Sequence, residues 1–402
     1  MSSVIVIVAV DQYFFCPIYS FKSPTPFSGN KIYNPYATAQ SGDWIKCNFH
    51  AHANCWKGFT NGKASAAVVN KVYENLHYDV HVTSNYQKID SSQKNCRGYL
   101  SGYEHGYNIL KTHQLVLGAS KVCWKDYLLP QTISNKQDIL NRLSAPNEND
   151  LVVINHPLLR NGYSRNDFSR LSDYSCMEVL HPACNSSSLW DIALSSGRPV
   201  FIIGDDDAHD VLSSDDVGKI CTWVNVPVVN KVNLIHALRT GCSYGMIVGK
   251  KSANEINNRF SAVAALKNFQ LNGDTLKTIF NQPAREISVI GNNGHVLLNT
   301  YNSDSITYSL TDNISYARVV AKFEGGTQIL LNPVFRYKTT PLQQAGVFVN
   351  STSTFSMRVI GVLILIFWFT LLYNPSLLKK VLPKSFVVNQ NSRRKSFSGS
   401  QL

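Results

Sequence analysis

A chain of 402 residues that is 44% apolar has enough hydrophobic side chain for one large core and a smaller domain, which excludes both a peptide-sized scaffold and a disordered tail. Charged residues make up only 16%, against roughly 25% in soluble domains, so the surface is rich in Asn, Ser, Thr and Tyr. The formal charge is +12, but six basic residues with no acidic one (Lys379, Lys380, Lys384, Arg393, Arg394, Lys395) follow Asn374; half of the excess thus lies beyond the folded core, and the rest does not call for nucleic acid.

The chain opens on MSSVIVIVAV, apolar after position 3 and without a basic start. Residues 1–21 read either as a degenerate signal sequence, which would put the folded domain in a lumen, the periplasm or the exterior, or as an apolar first strand in a tail-anchored cytosolic protein. Residues 22–43 are polar, contain Pro and Gly, and form an irregular lead-in.

From Trp44 short apolar runs alternate with helical stretches. WIKCNFHAH is a strand ending in two histidines, SAAVVNKVYENLH a helix, and YDVHVTS a second strand. LVLGASK, DLVVINHP, CMEVLHP and PVFIIGDDDAH give further strands. The helices SSLWDIALSSG and NKVNLIHALRTG intervene, each ending at a glycine suited to a C-cap. Such alternation predicts parallel β/α units closed as a barrel over residues 44–262. Over 263–337, REISVIG, HVLLNTY, SITYSL, YARVVAKFE and TQILLNPVF are period-2 segments parted by turn residues, and predict a small all-β, sandwich-like domain.

Val359 to Tyr373 is an uncharged apolar run. Extended to 355–378, with Arg358 snorkelling, it reaches the roughly 20 residues that span a bilayer. Trp368 and Tyr373 would anchor it at the interface. Lys379 and Lys380, at the head of the basic tail 379–402, favour a cytosolic C-terminus, making a single-pass protein whose main domain lies on the non-cytosolic side. The basic tail suits anionic lipid. The nine cysteines contain no CxxC pair and read as buried structural thiols outside any metal site. Asn185, Asn313 and Asn350 open N-x-S/T triplets of a kind common by chance.

Polar residues follow the apolar strands where ligands collect in β/α architectures. His50 and His52, at i and i+2, put both imidazoles on one side of an extended segment, a spacing suited to a metal. Asp207 and His209 repeat that geometry, and His156 sits at its own strand end. Glu104, between glycines in GYEHGY, could bridge two cations about 3.5 to 4 Å apart. A nitrogen for the second ion could come from His113 or from His105.

Taken together, FHAH, SGYEHG with THQLVLG, VVINHP, MEVLHP, LWDIALSSGRPVFIIGDDDAH and NLIHALRTGCSYG resemble the polymerase and histidinol phosphatase (PHP) superfamily, nearest its stand-alone phosphoesterase and carbamate-hydrolase-like branch, over roughly Trp44 to Tyr244. The resemblance implies an α/β fold: a distorted seven-stranded β/α barrel, here followed by the small all-β domain and the C-terminal hydrophobic helix. It also implies that His50, His52, Glu104 and Asp207 hold one divalent ion and that Glu104, His113 and His156 hold a second. His209 ordinarily serves a third ion together with the histidine of a T-D-H segment. This chain has Ser84 and Asn85 there and no histidine around Trp56, so two ions are expected; His77 and His81 lie close in sequence and could restore a third, although His81 falls inside a strand, where it would face the core or an adjoining helix.

The function these residues imply is metal-dependent hydrolysis of a small phosphorylated substrate by a water activated between two divalent ions, zinc foremost, with manganese or iron as alternatives. Arg160, with Arg165 as the alternate, would bind the phosphate. His209, released from a metal, would protonate the leaving oxygen or support a ligand. The competing readings are a carbamate or ester hydrolase with the same centre, a catalytically silent membrane-bound binding module, and a nuclease on short oligonucleotides. Against the nuclease, no basic, aromatic-interleaved stripe marks the main domain.

Overall fold

The computed structural model describes residues 2–58, 62–144, 151–249 and 263–374. The chain divides into two compact units, one made of 1–18 with 350–402 and the other of 19–349.

The larger unit is mixed α/β. Its strands begin where the apolar runs predict: Trp44–Asn48, Val80–His81, Gln114–Leu117, Leu151–Ile154, Cys176–His181 and Phe201–Gly204. The helices Ala66–Asn75, Ser187–Ser195 and Lys231–Thr240 likewise match the predicted segments. Asn230 caps the last of these by accepting from the Asn233 amide, and Gly241 ends it with a left-handed φ of 76°. A Cβ at Gly241 would lie 2.4 Å from the Phe201 ring, so packing as well as backbone conformation requires glycine.

The strands do not close into a seven-stranded barrel. Among the described residues they form a six-stranded and an eleven-stranded sheet, with Tyr19–Phe21 and Val347–Val349 pairing separately. Pairing is parallel between Cys176–His181 and both Phe201–Gly204 and Leu151–Ile154, and antiparallel where Gln114–Leu117 meets Leu151–Ile154 and Gly102–His105. Two isolated parallel bridges, Ala51 to Ala208 and Tyr86 to Glu104, join the sheets at the end where the predicted ligands gather.

The strands after 263 extend the larger sheet, because Gln328–Leu331 pairs antiparallel with Ser243–Ile247. Their apolar faces share one core with the half that carries the predicted ligands, in which Phe280, Val319 and Leu331 pack in the same cluster as Val69, Tyr73 and Tyr244. The buried Asp191 carboxylate on Ser187–Ser195 takes Arg318 on Tyr316–Lys322 bidentately at 2.8 and 2.7 Å, and accepts from Tyr316 at 3.0 Å. The segments HVLLNTY and SITYSL are parts of one strand, Val296–Ser309, paired along Thr275–Ile290. The residues between them that look like a turn form a register irregularity instead, with Asn302 at φ 49°.

In the smaller unit the N-terminal segment is a helix, Ser2–Val10, continued by a π-helical turn, Asp11–Phe15, rather than a strand. The C-terminal helix spans Ser351–Tyr373, starting four residues before 355 because the Asn350 side chain caps it on the Ser353 amide. By length and composition it can cross a membrane. The two helices touch at Gly361, where a Cβ would lie 2.8 Å from Phe14 and Phe15, and the Trp368 indole donates to the Ser3 hydroxyl at 3.4 Å. Arg358 donates to the Phe15 carbonyl at 3.3 Å. Residues 375–378 of the predicted span, the basic tail 379–402, and 250–262 of the predicted barrel segment lie outside the described residues.

Candidate metal centre

The two histidine and aspartate doublets are zipped together by their backbones. Ala51 bridges Ala208, and the His52 amide donates to the Ala208 carbonyl at 2.8 Å. The alanines are buried, and the flanking side chains of both segments therefore project to the same side. Below them, Asp205 accepts from the Phe49 amide at 2.7 Å, and the Asn48 side chain accepts from the Asp206 amide at 2.9 Å. Asp206 is consumed by the amides of Gly218, Lys219 and Ile220 and by the Tyr73 hydroxyl. Of the three consecutive aspartates only Asp207 faces the histidines.

His50, His52 and Asp207 meet Glu104 at one point. His52 Nε2 lies 3.1 Å from Asp207 Oδ1 and 3.1 Å from Glu104 Oε2, while His50 Nε2 lies 3.1 and 3.4 Å from the same two oxygens. The other Glu104 oxygen, Oε1, is 2.7 Å from His113 Nδ1 and 3.2 Å from His156 Nε2. In each of the two sets the ligand atoms lie within 4.8 Å of one another. Hydrogen bonding accounts poorly for this arrangement. Glu104 Oε2 is fully buried and accepts no hydrogen bond, and the Nε2 atoms of His50 and His52 face each other at 3.3 Å. Two imidazole nitrogens and two carboxylate oxygens converging on one buried point fit a bound cation, and imidazole with carboxylate is a donor set for a divalent transition metal.

The electrostatics agree. Burial opposes ionisation of Glu104, but His113 and His50 outweigh it and hold the carboxyl well below its usual range. Asp207 is likewise held down, with His50 and His181 overcoming burial. Burial disfavours the His50 cation, yet Asp207, Glu104 and Glu178 push its pKa up. Two of the site residues carry left-handed backbone, His156 at φ 24° and Asp207 at φ 44°, a strain that surrounding structure must hold in place.

His113 joins the second set, whereas His105 turns away, bonding Gln114 Oε1 at 2.8 Å and the Lys125 carbonyl at 2.9 Å. His209 stacks flat on His52 with centroids 4.5 Å apart and remains partly exposed, its pKa lowered to about 4 by burial and by His52. It belongs to neither converging set among the described residues. Ser84 and Asn85 are buried and act on backbone: Ser84 Oγ accepts from the Ala51 amide at 3.2 Å and Asn85 Oδ1 from the Ala53 amide at 2.8 Å. His81 bonds Asn70 Oδ1 at 2.7 Å and stacks on Tyr73, while His77 is exposed. Arg160 sits exposed on the turn after His156 with φ 52°, and Arg165 is exposed at the start of a short helix, Arg165–Arg170.

Sequence reasoning passed over Glu178 and His181, both on Cys176–His181. Glu178 Oε1 is 3.2 Å from His50 Nδ1, and its Oε2 accepts from the His156 amide at 2.6 Å. It therefore orients one histidine of each set. His181 Nε2 is 3.1 Å from Asp207 Oδ2. The signal was available: a carboxylate in a strand whose every residue is buried needs a partner. Tyr86, stacked on His52 at 4.5 Å, was missed as well.

No protein-family model matches the chain, and no curated protein matches it in sequence. Among solved structures it is similar to a two-domain protein from Bacteroides vulgatus ATCC 8482 that contains a predicted PHP-like metal-dependent phosphoesterase. The two are 11% identical with a TM-score of 0.40, over 82% of this chain and 99% of that one. At that similarity the functional reading rests on the converging side chains of this chain, which fit a divalent-metal site of the kind metal-dependent hydrolases use.

Proposed function

We propose that this chain is a membrane-anchored, metal-dependent phosphoesterase of PHP type that uses two divalent ions. His50, His52, Glu104 and Asp207 would hold one, and Glu104, His113 and His156 the other. The observation that carries this reading is the division of Glu104, with one oxygen among His50 and His52 and the other between His113 and His156. Zinc suits the imidazole-rich donor set, and the shared carboxylate also admits manganese or iron. When bound, such ions lower the pKa of a coordinated water and offset charge on phosphoryl oxygens.

The chain's own groups supply the rest. His209, beside the site with a ring kept neutral near pH 7 by burial, can relay a proton at the exposed edge of the centre. Arg160, on the turn leaving His156, supplies a flexible cation for a substrate phosphate. Ser351–Tyr373 would anchor the protein, and Lys379 and Lys380 beyond it favour a non-cytosolic catalytic domain.

The test is a parallel assay of the metal-loaded full chain on p-nitrophenyl phosphate, a phosphodiester and an aryl carbamate. Turnover of a phosphoester is expected. Turnover of the carbamate alone would replace the phosphoesterase with a carbamate hydrolase, and no turnover of any of the three would favour a silent binding module.

A further inference from the structure

We infer that His181, which lies in neither ligand set, is a positioning residue that fixes which oxygen of Asp207 faces the metal. The inference rests on the metal-centre reading above. Asp207 offers two oxygens. Oδ1 is the one 3.1 Å from both His50 and His52, whereas Oδ2 is turned toward His181 Nε2 at 3.1 Å. A carboxylate free to rotate would present either oxygen or both. One held at Oδ2 presents Oδ1 alone.

The turn after the strand Cys176–His181 determines the tautomer that does the holding. That strand pairs with Cys184–Asn185 through a tight reversal in which His181 lies opposite Cys184. The reversal brings the Ala183 amide to 3.1 Å from His181 Nδ1. An amide N–H can be accepted only by an unprotonated ring nitrogen, so the ring proton resides on Nε2 and points at Asp207 Oδ2.

The position is confined on its other sides too. The His181 side chain is 7% exposed, and its ring meets His156 edge to face at 5.3 Å. His181 thus does for the Asp207 side of the centre what Glu178 does for His50, and the two are three residues apart on one strand. Partners of this kind commonly change metal affinity by about 10- to 100-fold when lost.

The test compares two amide substitutions in the detergent-solubilised full chain, titrated with Zn²⁺ against a chromophoric chelator. His181→Gln keeps a donor near the Nε2 position. His181→Asn keeps an acceptor for the Ala183 amide but cannot reach Asp207. Both retain a polar group in the turn, and the melting temperature of each metal-free form checks folding. Expected is near wild-type affinity for the Gln variant and about 10- to 100-fold weaker binding of one ion for the Asn variant, with the number of ions at saturation unchanged. Wild-type affinity in both variants would overturn the inference, as would equal losses in both. Loss of one ion at saturation in the Asn variant would overturn it differently, making His181 itself a ligand. If the wild-type chain takes up no Zn²⁺, the metal-centre reading fails and this inference falls with it.

Discussion

Two stretches of the same rim, the Glu104 crossroads and the Ser84–Asn85 segment beside it, are equally buried and put to opposite uses. Around Glu104, imidazole nitrogens converge on both carboxylate oxygens, and Oε2 is left without a hydrogen-bond donor. At Ser84 and Asn85 they are spent on the backbone, taking the amides of Ala51 and Ala53, while the Ser84 and Asn85 carbonyls accept the Glu104 amide at 3.2 Å. One stretch is arranged to receive a cation. The other spaces the HAH segment from the Glu104 strand. Where the sequence reading looked for ligands of a third ion, this chain places side chains bonded to the backbone of Ala51 and Ala53.

The sharpest way to break that contrast is Glu104→Gln, which removes the shared charge. A hydrolase losing several kcal/mol of charge stabilisation should fall on the order of a thousandfold in kcat, read by steady-state assay; a variant with wild-type turnover would remove Glu104 from the centre.

His81, which the sequence offers as a rescuer of the third site, should behave as a neutral core residue. Its pKa falls from 6.5 to about 4 through burial. The unfolded chain therefore takes up a proton that the folded chain refuses, so the associated stability is fully present above pH 6.5 and is lost as the pH drops toward 4. The loss should approach about 3 kcal/mol. Denaturant melts at pH 7 and pH 4.5 should show a loss in the wild type that exceeds the loss in His81→Gln by up to about that amount. Identical pH dependence in the two would contradict the buried neutral ring.

Asn85→Ala leaves the Ala53 amide without its acceptor and should cost about 1–3 kcal/mol in denaturant melts with metal content unchanged. A lost ion at wild-type stability would reverse the roles assigned to the two stretches. The smallest effect is expected at the edge, where Arg160→Ala should raise KM for a phosphate monoester about tenfold and leave kcat nearly intact, the mark of uniform binding. An unchanged KM would leave Arg160 as an ordinary surface cation.

Most of the ligand sets was legible because strand ends announce themselves: a short apolar run followed by His-x-His or Asp-x-His has side chains on one face and a loop behind it. Glu178 and His181 were hidden inside MEVLHP, which reads as core because the run is apolar on both sides. Ser84 and Asn85 were visible as departures, but their job depends on Ala51 and Ala53, more than thirty residues away in sequence, and no local pattern reports that. The same limit applies to the fold. Period-2 alternation revealed strands after 263, but only long-range pairing of Gln328–Leu331 with Ser243–Ile247 shows that they extend the existing sheet. At the N-terminus, a continuous run of Val and Ile has no periodicity to separate strand from helix, and helix is what forms.

The central claim is that Glu104 joins two ion sites, and elemental analysis of the full chain purified without chelator tests it most directly. Two divalent ions per wild-type chain, falling below one in Glu104→Gln, are predicted. Fewer than one ion in the wild type, or two retained without the Glu104 carboxylate, would contradict it.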